Sequence, residues 1–175
     1  PNQDFRGYAG KIASGTISPG EPVAVLPSGK KSSIKSIETF DGRLTEAFAG
    51  QSVALTLEDE IDISRGDMIV RENNLPQIDS HFEAIICWMD EQSSAKTTAY
   101  FLKHTTTTVK AYISKILYRI DVNTLHREQA DNFSLNEIGR VEIRTSQPLF
   151  FDSYRINRQT GSFILIDPLT NLTVG

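Results

Sequence analysis

The chain has 175 residues, 39% of them hydrophobic and 23% charged, with a net charge of −4. That length holds one domain or two small ones, and the composition is ordinary for a globular protein. The acidity gives no general attraction to phosphate backbones or anionic lipid, which argues against nucleic-acid and membrane partners. No run approaches the ~20 apolar residues of a transmembrane helix, and a single cysteine, Cys87, excludes an intrachain disulfide.

The chain opens Pro1-Asn2-Gln3-Asp4, with neither an initiator methionine nor a basic, apolar leader. It stops at Val174-Gly175, directly after strand-like residues. Both ends are expected to be boundaries inside a longer protein, and the lone cysteine fits a reducing, cytoplasmic setting.

Strand signals dominate what lies between. Tyr8 to Ala13 and Pro22 to Leu26 flank the turn formers Ser18-Pro19-Gly20. Ser33 to Phe40 alternates apolar and polar residues and runs into Asp41-Gly42, a strong hairpin signal. Val53, Leu55 and Leu57 share one face of the next strand by the period of two, and Gly66-Asp67 turns into Met68-Ile69-Val70. Short strands at this spacing predict a small closed barrel over residues 1–72. Arg71 to Ser80 is polar around a central proline, so 73–81 is read as a linker.

A second β-rich unit, 82–175, is predicted from Phe82 to Met89, Thr98 to His104, Val109 to Ile120, Gly139 to Thr145 and Ser162 to Ile166. Asn123 to Asn136 is polar and irregular, and is read as a long loop. The unbroken apolar run Phe163-Ile164-Leu165-Ile166 predicts a strand covered on both faces, where truncation of Phe163 or Ile164 to alanine would leave a core cavity. The fold class is all-β, two barrels in tandem, the second cut short at its carboxy terminus.

Catalytic chemistry is not written into this pattern. A phosphate loop needs Gly, four residues, then Gly-Lys-Ser/Thr; the nearest string, Ser28-Gly29-Lys30-Lys31, lacks both the first glycine and the hydroxyl and reads as a hairpin tip. His81, His104, His126 and Cys87 stand at no ligand spacing; His81 and His126 read as loop residues and Cys87 as core. There is no nucleophile elbow and no serine, histidine and aspartate arrangement. Ser134-Leu135-Asn136-Glu137 has the form of a capping box, but Gly139 follows at once, so a single turn is expected. No residue is therefore assigned as catalytic, cofactor-binding or metal-ligating. The cations that remain are Lys103, His104, Arg119, Arg155 and Arg158, two of them beside tyrosine in Tyr118-Arg119 and Tyr154-Arg155. They fit either a solvated sheet face or a partner-docking surface, since guanidinium pairs carboxylates and stacks on rings.

Four stretches are specific enough to carry a resemblance: Asn136-Glu137-Ile138-Gly139-Arg140-Val141, Gln147-Pro148-Leu149, Asn157-Arg158-Gln159-Thr160-Gly161 and Phe163-Ile164-Leu165-Ile166-Asp167. Together with Tyr118-Arg119-Ile120-Asp121-Val122-Asn123-Thr124-Leu125, they resemble the GTP-binding large subunits of bacterial heterodimeric sulfate adenylyltransferase (ATP sulfurylase). Gly50 to Leu57 and Ile63 to Val70 look like the second domain of translation-factor GTPases more widely. The resemblance implies the two barrels that follow a GTPase domain. It implies GTP and magnesium in that absent domain, none in this piece, and a small catalytic subunit as partner. The complete subunit in that family couples GTP hydrolysis to adenylyl transfer from ATP to sulfate, and some members continue into an adenosine-phosphosulfate kinase. The rival reading is a pair of translation-factor barrels that grip aminoacyl-tRNA; acidity and the string His104-Thr105-Thr106-Thr107-Thr108, in place of an aromatic-rich arginine-threonine motif, weigh against it.

Overall fold

The computed structural model describes residues 5–95 and 98–175, and the opening Pro1-Asn2-Gln3-Asp4 lies outside them. Strands and turns account for the regular structure, and no described helix is long and apolar enough to cross a membrane. The chain divides into two compact units, Pro1–Pro76 with Ser153–Gln159, and Gln77–Asp152 with Thr160–Gly175.

The first unit contains β1 (Tyr8–Lys11), β2 (Thr16–Ile17), β3 (Pro22–Leu26), β4 (Lys30–Thr39), β5 (Gly42–Leu44), β6 (Ala47–Phe48), β7 (Ser52–Leu57) and β8 (Met68–Arg71). The main sheet runs β1-β7-β4-β3-β8, with β5 paired to β4 and a separate β2-β6 ribbon. Asp41-Gly42 makes the expected hairpin: Thr39 faces Gly42 in register, and Gly42 takes a φ of 120°, open to glycine and costly for side chains. Val53, Leu55 and Leu57 all point inward, joining Val23, Val25, Ile34 and Ile37 in one core. A register shift between Ile34 and Ser36 bends β4, which lets one ten-residue strand serve the main sheet and the β5 hairpin.

The second unit contains β9 (Gln77–Cys87), β10 (Tyr100–His104), β11 (Thr107–Ile120), β12 (Arg127–Glu128), β13 (Ile138–Phe151) and β14 (Ile164–Ile166), in the order β14-β10-β11-β13-β9 with β12 on β11. Every pairing is antiparallel. Val109, Ala111 and Ile113 are buried and Lys110, Tyr112 and Ser114 exposed, as their alternation predicts. The last residues join the two edges: the Val174 and Leu165 N–H groups donate to the carbonyls of Leu165 and Gly175, while the Met89 N–H donates to Val174. A ring of hydrogen bonds thus passes from β14 through residues 173–175 to the end of β9.

Three expectations change. Part of the supposed linker 73–81 is strand, because β9 starts at Gln77 and pairs with Leu149, Phe150 and Phe151 beyond a bulge in β13. That same bulge carries β13 six residues past Thr145 and accommodates Pro148, which has no N–H to give a ladder. The run Phe163 to Ile166 is not covered on both faces: Leu165 is buried, whereas Ile164 is 39% exposed. In the polar stretch 123–136, Phe133 is nevertheless fully buried, clamped by the Ser94 N–H to its carbonyl and by its own N–H to the Ser94 hydroxyl.

Candidate functional site

Among the cations singled out in the sequence, His104 is a core residue and not a docking group. At the end of β10 it is 4% exposed, with its Nε2 2.7 Å from the carbonyl oxygen of Thr160. The Thr160 hydroxyl in turn donates to Asp152 at 2.7 Å. This pair anchors the return into β14 inside the second unit. Arg119 is also committed within its own barrel, with one guanidinium nitrogen 2.8 Å from Glu128 and another 2.5 Å from Glu137. It ties β12 and the start of β13 to β11, so its exposed fraction is a by-product of an edge clip.

Lys103, Arg155 and Arg158 are exposed. Lys103 stands on β10 opposite Thr108. Arg155 and Arg158 belong to the 153–159 turn, where the guanidinium of Arg158 lies 5.8 Å from the centre of the Tyr154 ring. The backbone of that turn is internally satisfied: the N–H groups of Ile156 and Asn157 donate to the Ser153 carbonyl, and the Gln159 N–H donates to the Asn157 side chain. Arg155 and Arg158 are carried on the outside of this turn.

Ser28-Gly29-Lys30-Lys31 is the tip of the β3-β4 hairpin, closed by the Gly29 N–H on the Val25 carbonyl. Among the described residues, no three His, Cys, Asp or Glu side chains are arranged to hold a metal ion. His81 lies on β9 instead of in a loop, 3.5 Å from Glu142, and Cys87 is half-buried instead of core, at the end of the same strand. Residues 134–137 form the single turn expected of them, with the Ser134 N–H donating to Glu137 at 2.9 Å. A shallow groove of about 670 Å³ on the first barrel is lined by Phe5, Ala9, Gly10, Thr39 and Phe40, with Glu38 as its charged group. Glu38 is matched by Arg43 at 3.0 Å. The lining is mostly apolar, and its one charged group, a carboxylate, repels a phosphate.

Two turns of the second barrel are held by carboxylates. Asp121 accepts from the N–H groups of Asn123 and Thr124, and Asp167 from those of Leu169 and Thr170. The hydrogen bond from Asn123 foremost, then that from Thr124, holds the Asp121 carboxyl below its usual range; for Asp167 the Thr170 N–H leads. A depressed folded pKa means stabilisation present above the unfolded value and lost as pH falls through the folded one. Carboxyl NMR titration should accordingly give both side chains midpoints under the ordinary aspartate value of about 3.9. A midpoint at or above that value for either would show that its turn does not persist in solution.

Two antiparallel β units of this size and strand order define a tandem pair of small β domains. Residues 81–175 match the family described as GTP-eEF1A C-terminal domain-like, and residues 8–70 match elongation factor Tu domain 2. The chain belongs to the GTP-eEF1A C-terminal domain-like family. Crystal structures of Sup35 with GMPPNP and with GDP superpose with a TM-score of 0.84 at 20% identity, the first over 95% of this chain and 42% of that one. At that identity the likeness shows the fold, two translation-factor-like barrels.

Closer in sequence is sulfate adenylyltransferase subunit 1 of Bacteroides fragilis, 54% identical over 173 residues that make up 99% of this chain and 36% of that protein. The bifunctional enzyme CysN/CysC of Rhodopirellula baltica is 52% identical over 174 residues, 27% of its length. The subunit 1 protein of Shewanella woodyi is 53% identical over 175 residues, 37% of its length. The chain thus spans about a third of the curated relatives it matches.

Proposed function

We propose that this chain is the barrel pair of the GTP-binding large subunit of a sulfate adenylyltransferase. The complete enzyme couples GTP hydrolysis to the reaction of ATP with sulfate, giving adenosine 5′-phosphosulfate and pyrophosphate in cytoplasmic sulfate assimilation. What carries this reading is identity of 47–54% along the whole chain with proteins of that name, the lower figure being the Francisella tularensis subunit. GTP and magnesium belong to a GTPase domain outside this chain, and adenylyl transfer to the small subunit. The barrels supply docking and leverage, and move as rigid bodies with the nucleotide state. Lys103 and Arg155 are exposed cations that would reach a carboxylate on the small subunit or the GTPase domain, with Arg158 beside them on the 153–159 turn.

Calorimetric titration of the chain with the small subunit of the same enzyme, without nucleotide, tests the reading. Saturable binding is expected. Heats no greater than dilution would remove docking from these barrels. The tRNA alternative predicts RNA retention with a steep salt dependence, because phosphate contacts release counterions; no such retention is expected here.

A further inference from the structure

Strand direction alternates around the second barrel, so the chain leaves β9, β11 and β14 at the same end. The register agrees: Cys87 and Ile120 both face Ile138, Trp88 exchanges backbone hydrogen bonds with Asn136 and Glu137, and Met89 bonds to Val174. Segments 88–95, 121–137 and 167–172 crown this end. They expose Met89, Val122, Leu125, Leu135, Leu169 and Leu172, with Leu125 at 76% and Leu169 at 90%. One exposed leucine is unremarkable on a protein surface; six aliphatic side chains on the loops of one barrel end are not.

These side chains are held outward. The Asp121 and Asp167 turns place Val122 and Leu125, and Leu169 and Leu172, at their tips. Leu125 does so with a φ of 59°, a left-handed backbone that leucine adopts only against its preference. Burial gives nothing back at that position, which is the pattern of a contact made elsewhere.

The charge of the same segments narrows the occupant. The same three segments carry Asp90, Glu91, Asp121 and Asp167, while Arg127 of these segments lies over the Tyr118 ring at 4.6 Å. Glu128 and Glu137 are matched by Arg119. Such a surface repels RNA and anionic lipid, and a second copy would set carboxylates against carboxylates. We propose that this end of the second barrel docks a protein whose contact face is apolar at its centre and rimmed by lysine and arginine. Resting on the function proposed above, that protein is the small subunit.

The test compares the unaltered chain with a triple variant, Leu125→Asn, Leu169→Ser and Leu172→Ser, in calorimetric titration against the small subunit. Asparagine is chosen at 125 because it tolerates the left-handed backbone. A second variant carries Arg155→Ala and Arg158→Ala. The triple variant should lose about tenfold or more in affinity, with its melting temperature within about 2 °C of the parent. Binding of the unaltered chain should weaken as salt rises. If the triple variant binds as the unaltered chain does, the apolar end is not the interface, while the proposed function stands. Loss of binding confined to the arginine variant overturns the proposal in the same way. If the small subunit does not bind the unaltered chain, both this surface and the docking role fail together. Self-association of the unaltered chain in sedimentation, abolished in the triple variant, would assign the end to a second copy instead.

Discussion

Replacing Gly139 with alanine is expected to destabilise the second barrel by about 3 kcal/mol, the upper part of the range for overpacking. A Cβ at this position would lie 2.4 and 2.5 Å from two ring carbons of Phe133, and 2.5 Å from the carbonyl oxygen of Tyr118. Neither neighbour is free to retreat. Phe133 is fully buried and fastened on both backbone groups by Ser94, and Tyr118 sits in the β11-β13 ladder beside the Arg119–Gly139 pair. Gly10 is the matched control. It is also in a strand, but an added Cβ meets nothing within 4 Å, so Gly10→Ala should change stability by about 0.5 kcal/mol or less. Urea denaturation of both variants reads the difference. Equal midpoints would mean that Phe133 does not pack over Gly139.

The second large effect separates two adjacent residues. Leu165→Ala should cost about 2–5 kcal/mol, because a side chain packed with Trp88, Leu102 and Val174 leaves a cavity that a hydrogen-bonded ring cannot close up. Ile164→Ala should cost about 1 kcal/mol or less, since that side chain faces outward. Comparable losses for both would mean a doubly covered strand, against the outward face that Ile164 shares with exposed Lys103.

The contrast at 164 and 165 also shows what an apolar run hides. Alternation was legible wherever one face meets water, as in Val53, Leu55 and Leu57 or Val109, Ala111 and Ile113. A run of four apolar residues has no alternation to read, so an exposed isoleucine passes for a buried one. The opposite error affected β9. Its first residues, Gln77 to His81, are mostly exposed and polar, and their pairing with β13 is made by the backbone, which leaves no trace in side-chain pattern. Phe133 was missed because a single side chain reaching into the core from a loop has no period. His104 reads as a cation in sequence; only the nearby Thr160 carbonyl and its burial mark it as part of the core. The exposed cations of the 153–159 turn were legible from turn chemistry. The aliphatic crown was not, because its members are far apart in sequence and gather only when strand directions bring three loops to one end.

The join made by residues 173–175 bears on the order in which the chain acquires its shape during synthesis. All strands of the first unit have been made once Arg71 has been added. The second unit begins pairing at Gln77, yet Met89 receives its partner only with Val174, and the Leu165 N–H only with Gly175. A ribosome therefore releases one unit whose described strands are all available early, and another in which the join between β14 and the end of β9 waits for residues 173–175. Through that interval Leu165 and Trp88 lack the Val174 that shares their core, so apolar surface of the second barrel stays open to water until those residues are made.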